Sequence, residues 1–169
     1  ICFVKDADLC GFLKPRIHTE KGLIVTTGGK KVGEHKGLAY YTVGQRKGIK
    51  IGGIGPFYVV DKDFKNNFLI VAKSEHAPEL YKREMKVKNV NWISNKPKFP
   101  LKCQVKIRYL TPNAPCTVYG ASGRLLHNRR TRQNIKYKVQ FSTSQRAITP
   151  GQSAVFYSRN EILGGGIII

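Results

Sequence analysis

From Met85 onward the chain is a succession of short runs in which apolar and polar residues alternate, at 85–93, 103–109, 116–121, 137–142 and 153–157, with a last apolar run near Ile167. Alternation with a period of two is the mark of strands that bury one face. Six such strands, separated by loop punctuation such as Pro97 and Pro100, predict a small closed β barrel, in which every strand edge is covered by a neighbour.

The first half is also mainly β. An acidic start at Asp6, apolar residues at Leu9, Phe12 and Leu13, and a stop at Pro15 predict one short N-terminal helix. Residues 22–27 and 30–32, joined by Gly28-Gly29, read as a hairpin. A second hairpin is expected from 57–60 and 68–71, whose connection is rich in Asn and Asp. Pro78 and a charged cluster interrupt the apolar pattern within 75–83, which places a domain boundary there.

Charge narrows the partners. The 169 residues carry 30 Lys and Arg against 10 Asp and Glu, a formal charge of +20. Residues 1–80 hold 13 basic and 8 acidic side chains, whereas residues 81–169 hold 17 and 2, a net of +15. A composition of 41% hydrophobic and 10% aromatic residues is too apolar for a disordered basic tail, so the charge sits on a folded surface. Such a surface favours a polyanion, nucleic acid first and an anionic membrane second, against the plainer reading of a solvated basic face. No apolar run approaches the roughly 18 residues of a membrane-spanning helix, and no amphipathic helix supports membrane-surface binding.

Between the two upstream hairpins, residues 33–55 hold seven of the 17 glycines and the basic pair Arg46-Lys47. This stretch reads as a loop, either one that approaches a ligand through its backbone or a turn-rich connector. Its glycines match no nucleotide-cradling pattern. Residues 124–136 carry Arg124, Arg129, Arg130, Arg132 and Lys136 without an acid, a basic arm suited to phosphate contact or to solvent.

Little in the chain suggests self-contained catalysis. His18, His35, His76 and His127 stand in turn-like contexts, and Asp61 and Asp63 fit turn formation better than acid-base work. Cys2, Cys10, Cys103 and Cys116 form no metal-ligand spacing, so no metal is expected. Cys10, Cys103 and Cys116 fall on helix or strand positions, where they are expected to pack as reduced, small hydrophobes in a cytosol-like compartment. Ile1-Cys2-Phe3 reads like the end of a buried strand, so a preceding segment is expected, and the role of Cys2 is left open by composition.

Several blocks nevertheless resemble, in order, the C-terminal portion of the tRNA-specific 2-thiouridylases. They are Ile1-Cys2-Phe3, Val32-Gly33-Glu34-His35-Lys36-Gly37, Tyr41-Thr42-Val43-Gly44-Gln45-Arg46-Lys47-Gly48, Pro56-Phe57-Tyr58-Val59-Val60, Lys106-Ile107-Arg108-Tyr109, the run from Gln145 to Tyr157, and Leu163-Gly164-Gly165-Gly166-Ile167-Ile168. The resemblance implies an ATP-dependent enzyme that replaces the 2-oxygen of the tRNA wobble uridine with sulfur from a cysteine persulfide. AMP is a better leaving group than a carbonyl oxygen, and a persulfide is a strong nucleophile near neutral pH. It also implies the fold: residues 1–15 ending the catalytic domain, a central β domain at 16–80, and at 81–169 a barrel similar to one in translation factors.

Carried over by residue, the resemblance makes Cys2 the persulfide carrier, able also to pair with a partner cysteine. It places Arg108, Tyr109 and Gln152 on tRNA, together with Lys106, and Gln45, Arg46 and Lys47 in a loop near the catalytic cleft or tRNA. Arg108 suits bidentate phosphate contact, and Tyr109 suits stacking. The family's Ser-Gly-Gly-x-Asp-Ser loop has no counterpart here. Magnesium-dependent ATP is therefore expected to bind outside this chain, which alone should bind tRNA without thiolating it. A sulfur-donor protein, a monomeric state and a cytoplasmic or organellar location complete the expectation. The competing reading is a stand-alone basic RNA-binding barrel without catalytic ancestry.

Overall fold

The computed structural model describes residues 9–13, 15–49, 51, 56–120 and 136–169. They form two compact units that divide between Leu80 and Tyr81. Strands dominate both, and the only α-helix among the described residues is α1, Leu9–Leu13. The earlier part of the expected helix, Cys2, and the basic arm before Lys136 lie outside the described residues.

The first unit is a four-stranded sheet in the order β2-β1-β4-β3, built from β1 (Gly22–Thr26), β2 (Lys31–His35), β3 (Tyr58–Asp63) and β4 (Phe68–Ala72). Each half is the expected antiparallel hairpin. In the first, Gly29 takes a left-handed φ of 80° between Thr26 and Lys30. In the second, the Asp63 carboxylate accepts from the backbone N–H groups of Lys65 and Asn66 and from the Asn66 side chain. Hydrogen bonds from Asn66 hold its pKa below the usual carboxylate value. This is the turn chemistry that Asp provides.

The hairpins join through a parallel pairing of β1 with β4, Leu23 opposite Phe68 to Thr26 opposite Val71. Parallel pairing leaves no signature in either strand. The sheet buries Ile24, Val59, Leu69 and Val71 against Leu38, Tyr41 and Phe57. Residues 33–55 are not wholly loop: Gly33 to His35 finish β2, and Leu38–Tyr40 form a 3-10 turn.

The second unit is a closed, wholly antiparallel barrel in the order β10-β5-β8-β7-β6-β9, with β9 and β10 paired to complete the ring. Its strands are β5 (Tyr81–Trp92), β6 (Leu101–Lys106), β7 (Ala114–Tyr119), β8 (Lys136–Arg146), β9 (Ser153–Ser158) and β10 (Glu161–Ile168). Inward residues follow the alternation: Val87, Val105, Val118, Val139 and Phe156 are buried, with their neighbours turned outward. Trp92 closes the core, stacked on Phe156 with ring centroids 5.4 Å apart and edge-on to Tyr137 at 5.9 Å.

Among the strand boundaries that differ from the sequence expectation, two bear on the nominated residues. The first barrel strand begins at Tyr81, four residues before Met85, because Tyr81 and Lys82 pair with Arg146 and Gln145 of a lengthened β8. The bulge between Lys82 and Glu84 breaks the alternation that would have betrayed this stretch. Conversely, β6 stops at Lys106. Its pairing ends at Lys106 opposite Val155 on one side and at Val105 opposite Ala114 on the other, so Arg108 and Tyr109 lie in the following turn and not on the strand.

Candidate nucleic-acid interface

Two turns of the barrel unit carry three of the nominated residues, Arg108, Tyr109 and Gln152. The first connects β6 to β7. Its backbone closes when the Arg108 carbonyl accepts from the Thr111 N–H at 3.2 Å and from the Thr111 hydroxyl at 2.9 Å. Tyr109 and Leu110 are left at the tip, 83% and 90% exposed. Two large apolar side chains so uncovered gain nothing from folding.

The second turn joins β8 to β9, from Ala147 to Gln152. Ala147 is buried yet has a left-handed φ of 54°, a conformation that non-glycine residues adopt only where the surroundings impose it. Its carbonyl accepts from Arg108 Nη2 at 2.9 Å and from the buried Thr149 hydroxyl at 3.0 Å. Arg108 Nη2 also donates to Thr149 Oγ1 at 3.1 Å. The half-buried Arg108 guanidinium is thus held by two uncharged acceptors. Burial, and secondarily the positive Arg146, lower its pKa from the ordinary arginine value; arginine stays charged at neutral pH all the same.

Gln152 ends that turn. Its backbone N–H donates to Thr149 O at 3.3 Å, and its carbonyl accepts from the Ile168 N–H at 2.8 Å. The side-chain Oε1 is buried and accepts no hydrogen bond from a described residue. The structure thus brings Arg108 to the turn that ends at Gln152, with Tyr109 beside Arg108. Lys106 is the last residue of β6 and half-buried. A cavity of about 480 Å³ on the same unit has Lys82, Lys86 and Lys138 at its wall over Met85, Ile148 and Ile168. Glu84 lies 2.7 Å from Lys138 there.

Gln45, Arg46 and Lys47 belong to the first unit. The Gln45 amide is engaged in its own loop: Oε1 accepts from the Thr42 N–H at 2.9 Å, and Nε2 donates to Lys47 O at 2.8 Å. The backbone of the same loop is tied to β3 through Gly44 N–H to Val59 O and Val59 N–H to Gln45 O. Arg46 and Lys47 are exposed. In this geometry Gln45 shapes the loop and the two cations face solvent.

The barrel brings two thiols together. Cys103 and Cys116 face each other across β6 and β7, both free, with sulfurs 3.7 Å apart. The hydrogen bond they share lowers the Cys103 pKa and, with burial, raises that of Cys116. Among the described residues no group of three His, Cys, Asp or Glu is placed to hold a metal, and no helix is long and apolar enough to cross a membrane.

Sequence reasoning passed over Ala147, Thr149 and Arg146, although all three stand in or beside the run that carried the resemblance. A signal was present in the pairing of a basic residue with a Thr-Pro-Gly turn, but only tertiary contact links it to Arg108.

Comparison with known proteins agrees with this architecture. Residues 10–73 match the family described as tRNA methyl transferase PRC-barrel domain, and residues 82–168 match the aminomethyltransferase beta-barrel domain. The chain is similar to proteins named tRNA-specific 2-thiouridylase MnmA: 43% identical to that of Coxiella burnetii (strain RSA 493), with 99% of this chain and 45% of the relative covered. The corresponding values are 41%, 99% and 44% for Idiomarina loihiensis, and 40%, 99% and 42% for Protochlamydia amoebophila. The chain therefore spans a little under half the length of these relatives. With one matched family covering the barrel and the other most of the first unit, the chain belongs to the tRNA-specific 2-thiouridylase family, as its C-terminal portion.

Proposed function

We propose that this chain is the RNA-gripping portion of an enzyme that 2-thiolates the wobble uridine of tRNA. The observation that carries the proposal is the anchored Arg108 guanidinium beside the exposed Tyr109, on a unit with 17 basic and 2 acidic residues. A fixed guanidinium suits a phosphate, an uncovered aromatic ring suits a splayed base, and the buried Gln152 Oε1 suits a donor such as a 2′-hydroxyl or a base amine. Extracting a base for chemistry requires a firm hold on the rest of the RNA.

In this reading Cys2 carries the persulfide, loaded by a sulfur-donor protein, and Arg46, Lys47 and Lys106 add cationic contacts. The protein acts as a monomer in the cytoplasm or an organelle. ATP, as the activating co-substrate, fits none of the glycine turns present here, which lack the pattern of a phosphate cradle.

The test is tRNA affinity of the chain as a function of salt. Binding that weakens by orders of magnitude between about 50 and 200 mM salt is expected. Affinity that is absent or insensitive to salt removes the RNA-binding role. For Cys2, replacement by Ser in the full-length protein should abolish thiolation while leaving tRNA affinity in place; retained thiolation excludes it as the sulfur carrier.

A further inference from the structure

β6 and β7 bring three inward pairs face to face: Leu101 with Val118, Cys103 with Cys116, and Val105 with Ala114. In the middle pair both side chains end in sulfur, and the sulfurs lie 3.7 Å apart. Directly opposite residues of an antiparallel ladder have Cα atoms about 4.5 or 5.5 Å apart, inside the span that a disulfide bridges. Side-chain rotation that closes the sulfurs from 3.7 Å to about 2.05 Å would complete a bond with the strand register unchanged.

The barrel holds the two thiols unequally. Cys116 is buried in the core, whereas Cys103 packs at its margin and is partly open to solvent. The hydrogen bond they share lowers the Cys103 pKa, so Cys103 is the thiol that ionises and meets a dissolved reagent first. Cys116 is shielded from a bulky reagent but within reach of the Cys103 sulfur. An accessible attacking thiol backed by a resolving one is the arrangement of a thiol–disulfide couple. Packing as small hydrophobes requires neither that the sulfurs meet nor that one of them reaches water.

We propose that Cys103 and Cys116 form a reversible redox site, which a low-molecular-weight disulfide converts to a bridge between β6 and β7. The Cys103 thiolate attacks one sulfur of the small disulfide, whose S–S bond breaks and releases one thiolate. Cys116, losing its proton, attacks the mixed disulfide at Cys103, and the second small thiolate departs. Two protein thiols are oxidised, one small disulfide is reduced to two thiols, and the two protein protons end on those thiols. The bridge closes the hairpin whose connecting turn, residues 107–113, holds Arg108 and Tyr109. Its formation depends on nothing that binds to that turn.

The test exposes the folded, reduced chain, freed of reductant, to oxidised glutathione at mildly alkaline pH. Remaining thiols are then blocked with N-ethylmaleimide, and the chain is digested with trypsin without reduction. Cleavage after Lys102, Lys106, Arg108 and Arg124 releases peptides 103–106 and 109–124, each with one cysteine. Mass spectrometry should find the two joined, lighter by two hydrogens than their summed masses and parted again by dithiothreitol. In Cys116→Ala, peptide 103–106 should carry glutathione instead. A parent in which Cys103 keeps glutathione, stays reduced, or pairs with Cys2 or Cys10 in preference to Cys116 overturns the proposal.

Trp92 fluorescence and circular dichroism, recorded before digestion, verify that the parent reacts while folded. A bridge that fits the existing register restricts the unfolded chain more than the folded one. Dithiothreitol should therefore lower the melting temperature of the oxidised parent by about 5 °C or more, and leave that of glutathione-treated Cys116→Ala nearly unmoved. A cross-linked parent whose melting temperature is unchanged or raised by dithiothreitol has had its strands distorted to make the bond, and this too overturns the proposal.

Discussion

His35 Nε2 lies 3.0 Å from the carbonyl oxygen of Asn67, thirty-two residues away, while Nδ1 of the same ring accepts the Gly37 N–H at 3.1 Å. Because Nδ1 is an acceptor, the ring is neutral with its proton on Nε2, donated to Asn67. The buried imidazole thus links the end of β2 to the turn before β4, and its edge packs on Tyr41 with centroids 6.0 Å apart.

Replacing His35 by Phe keeps a ring but strands the Gly37 N–H and the Asn67 carbonyl. A loss of about 2–4 kcal/mol is expected. Urea unfolding followed by circular dichroism measures it, and the Gly37 amide should lose its protection from hydrogen exchange.

Gly22 faces the same junction. A Cβ there would run into the Asn67 carbonyl oxygen and lie 2.6 Å from His35 Nε2, so Gly22→Ala should destabilise by about 1–3 kcal/mol. At Gly28 a Cβ meets nothing closer than Thr26 Oγ1 at 3.8 Å, and Gly28→Ala should change stability by no more than about 0.5–1 kcal/mol. Thermal melts of the two variants side by side make the comparison.

Trp92 is the single tryptophan of the chain, so its fluorescence reports on the barrel core. Trp92→Ala should cost roughly 3–5 kcal/mol by emptying the space beside Phe156 and Tyr137. Trp92→Phe should cost less, about 1–2 kcal/mol, since Nε1 has no hydrogen-bond partner among the described residues to lose. Chemical denaturation monitored by circular dichroism distinguishes the two.

The thiol pair should titrate unequally. With its pKa lowered by the hydrogen bond it shares with Cys116, Cys103 forms thiolate at lower pH than an isolated thiol, whereas Cys116 stays protonated. Iodoacetamide should therefore modify Cys103 first as pH rises, read by mass spectrometry. Cys116→Ala removes the hydrogen-bond partner, so the onset of Cys103 alkylation should move to higher pH; an unmoved onset contradicts the hydrogen-bond assignment.

Tyr109→Ala should leave the melting temperature within about 1–2 °C of the parent, because the ring is almost wholly exposed. It should weaken tRNA binding by about 1–3 kcal/mol if a base stacks on it. Fluorescence anisotropy at fixed salt reads the second quantity.

Alternation made the barrel legible: Tyr137, Val139 and Phe141 face inward along β8 as their spacing predicts. The same signal failed at Tyr81 to Glu84, where the bulge shifts the phase and the partners are polar. Likewise, Gly164, Gly165 and Gly166 are unpromising as a strand, since glycine weakens one. In the barrel a Cβ at Gly165 would lie 2.9 Å from Ala154 O, and one at Gly166 would lie 2.7 Å from Lys88 O. The strand is glycine because its neighbours on both sides come too close for anything else. At the candidate interface, the identities of Arg108, Tyr109 and Gln152 could be nominated from their motif. The hold of Thr149 and Ala147 on Arg108 could not.

By itself the amino-acid order determined that the chain is mainly β, where most of its strands run and which half carries the charge, because these are local properties of period, turn chemistry and composition. Tertiary structure alone decided the parallel joining of β1 to β4, the closure of the ring between β9 and β10 and the meeting of Arg108 with the turn after Arg146. Each of these brings together residues far apart in sequence. Such contacts depend on which faces and edges the rest of the chain leaves available.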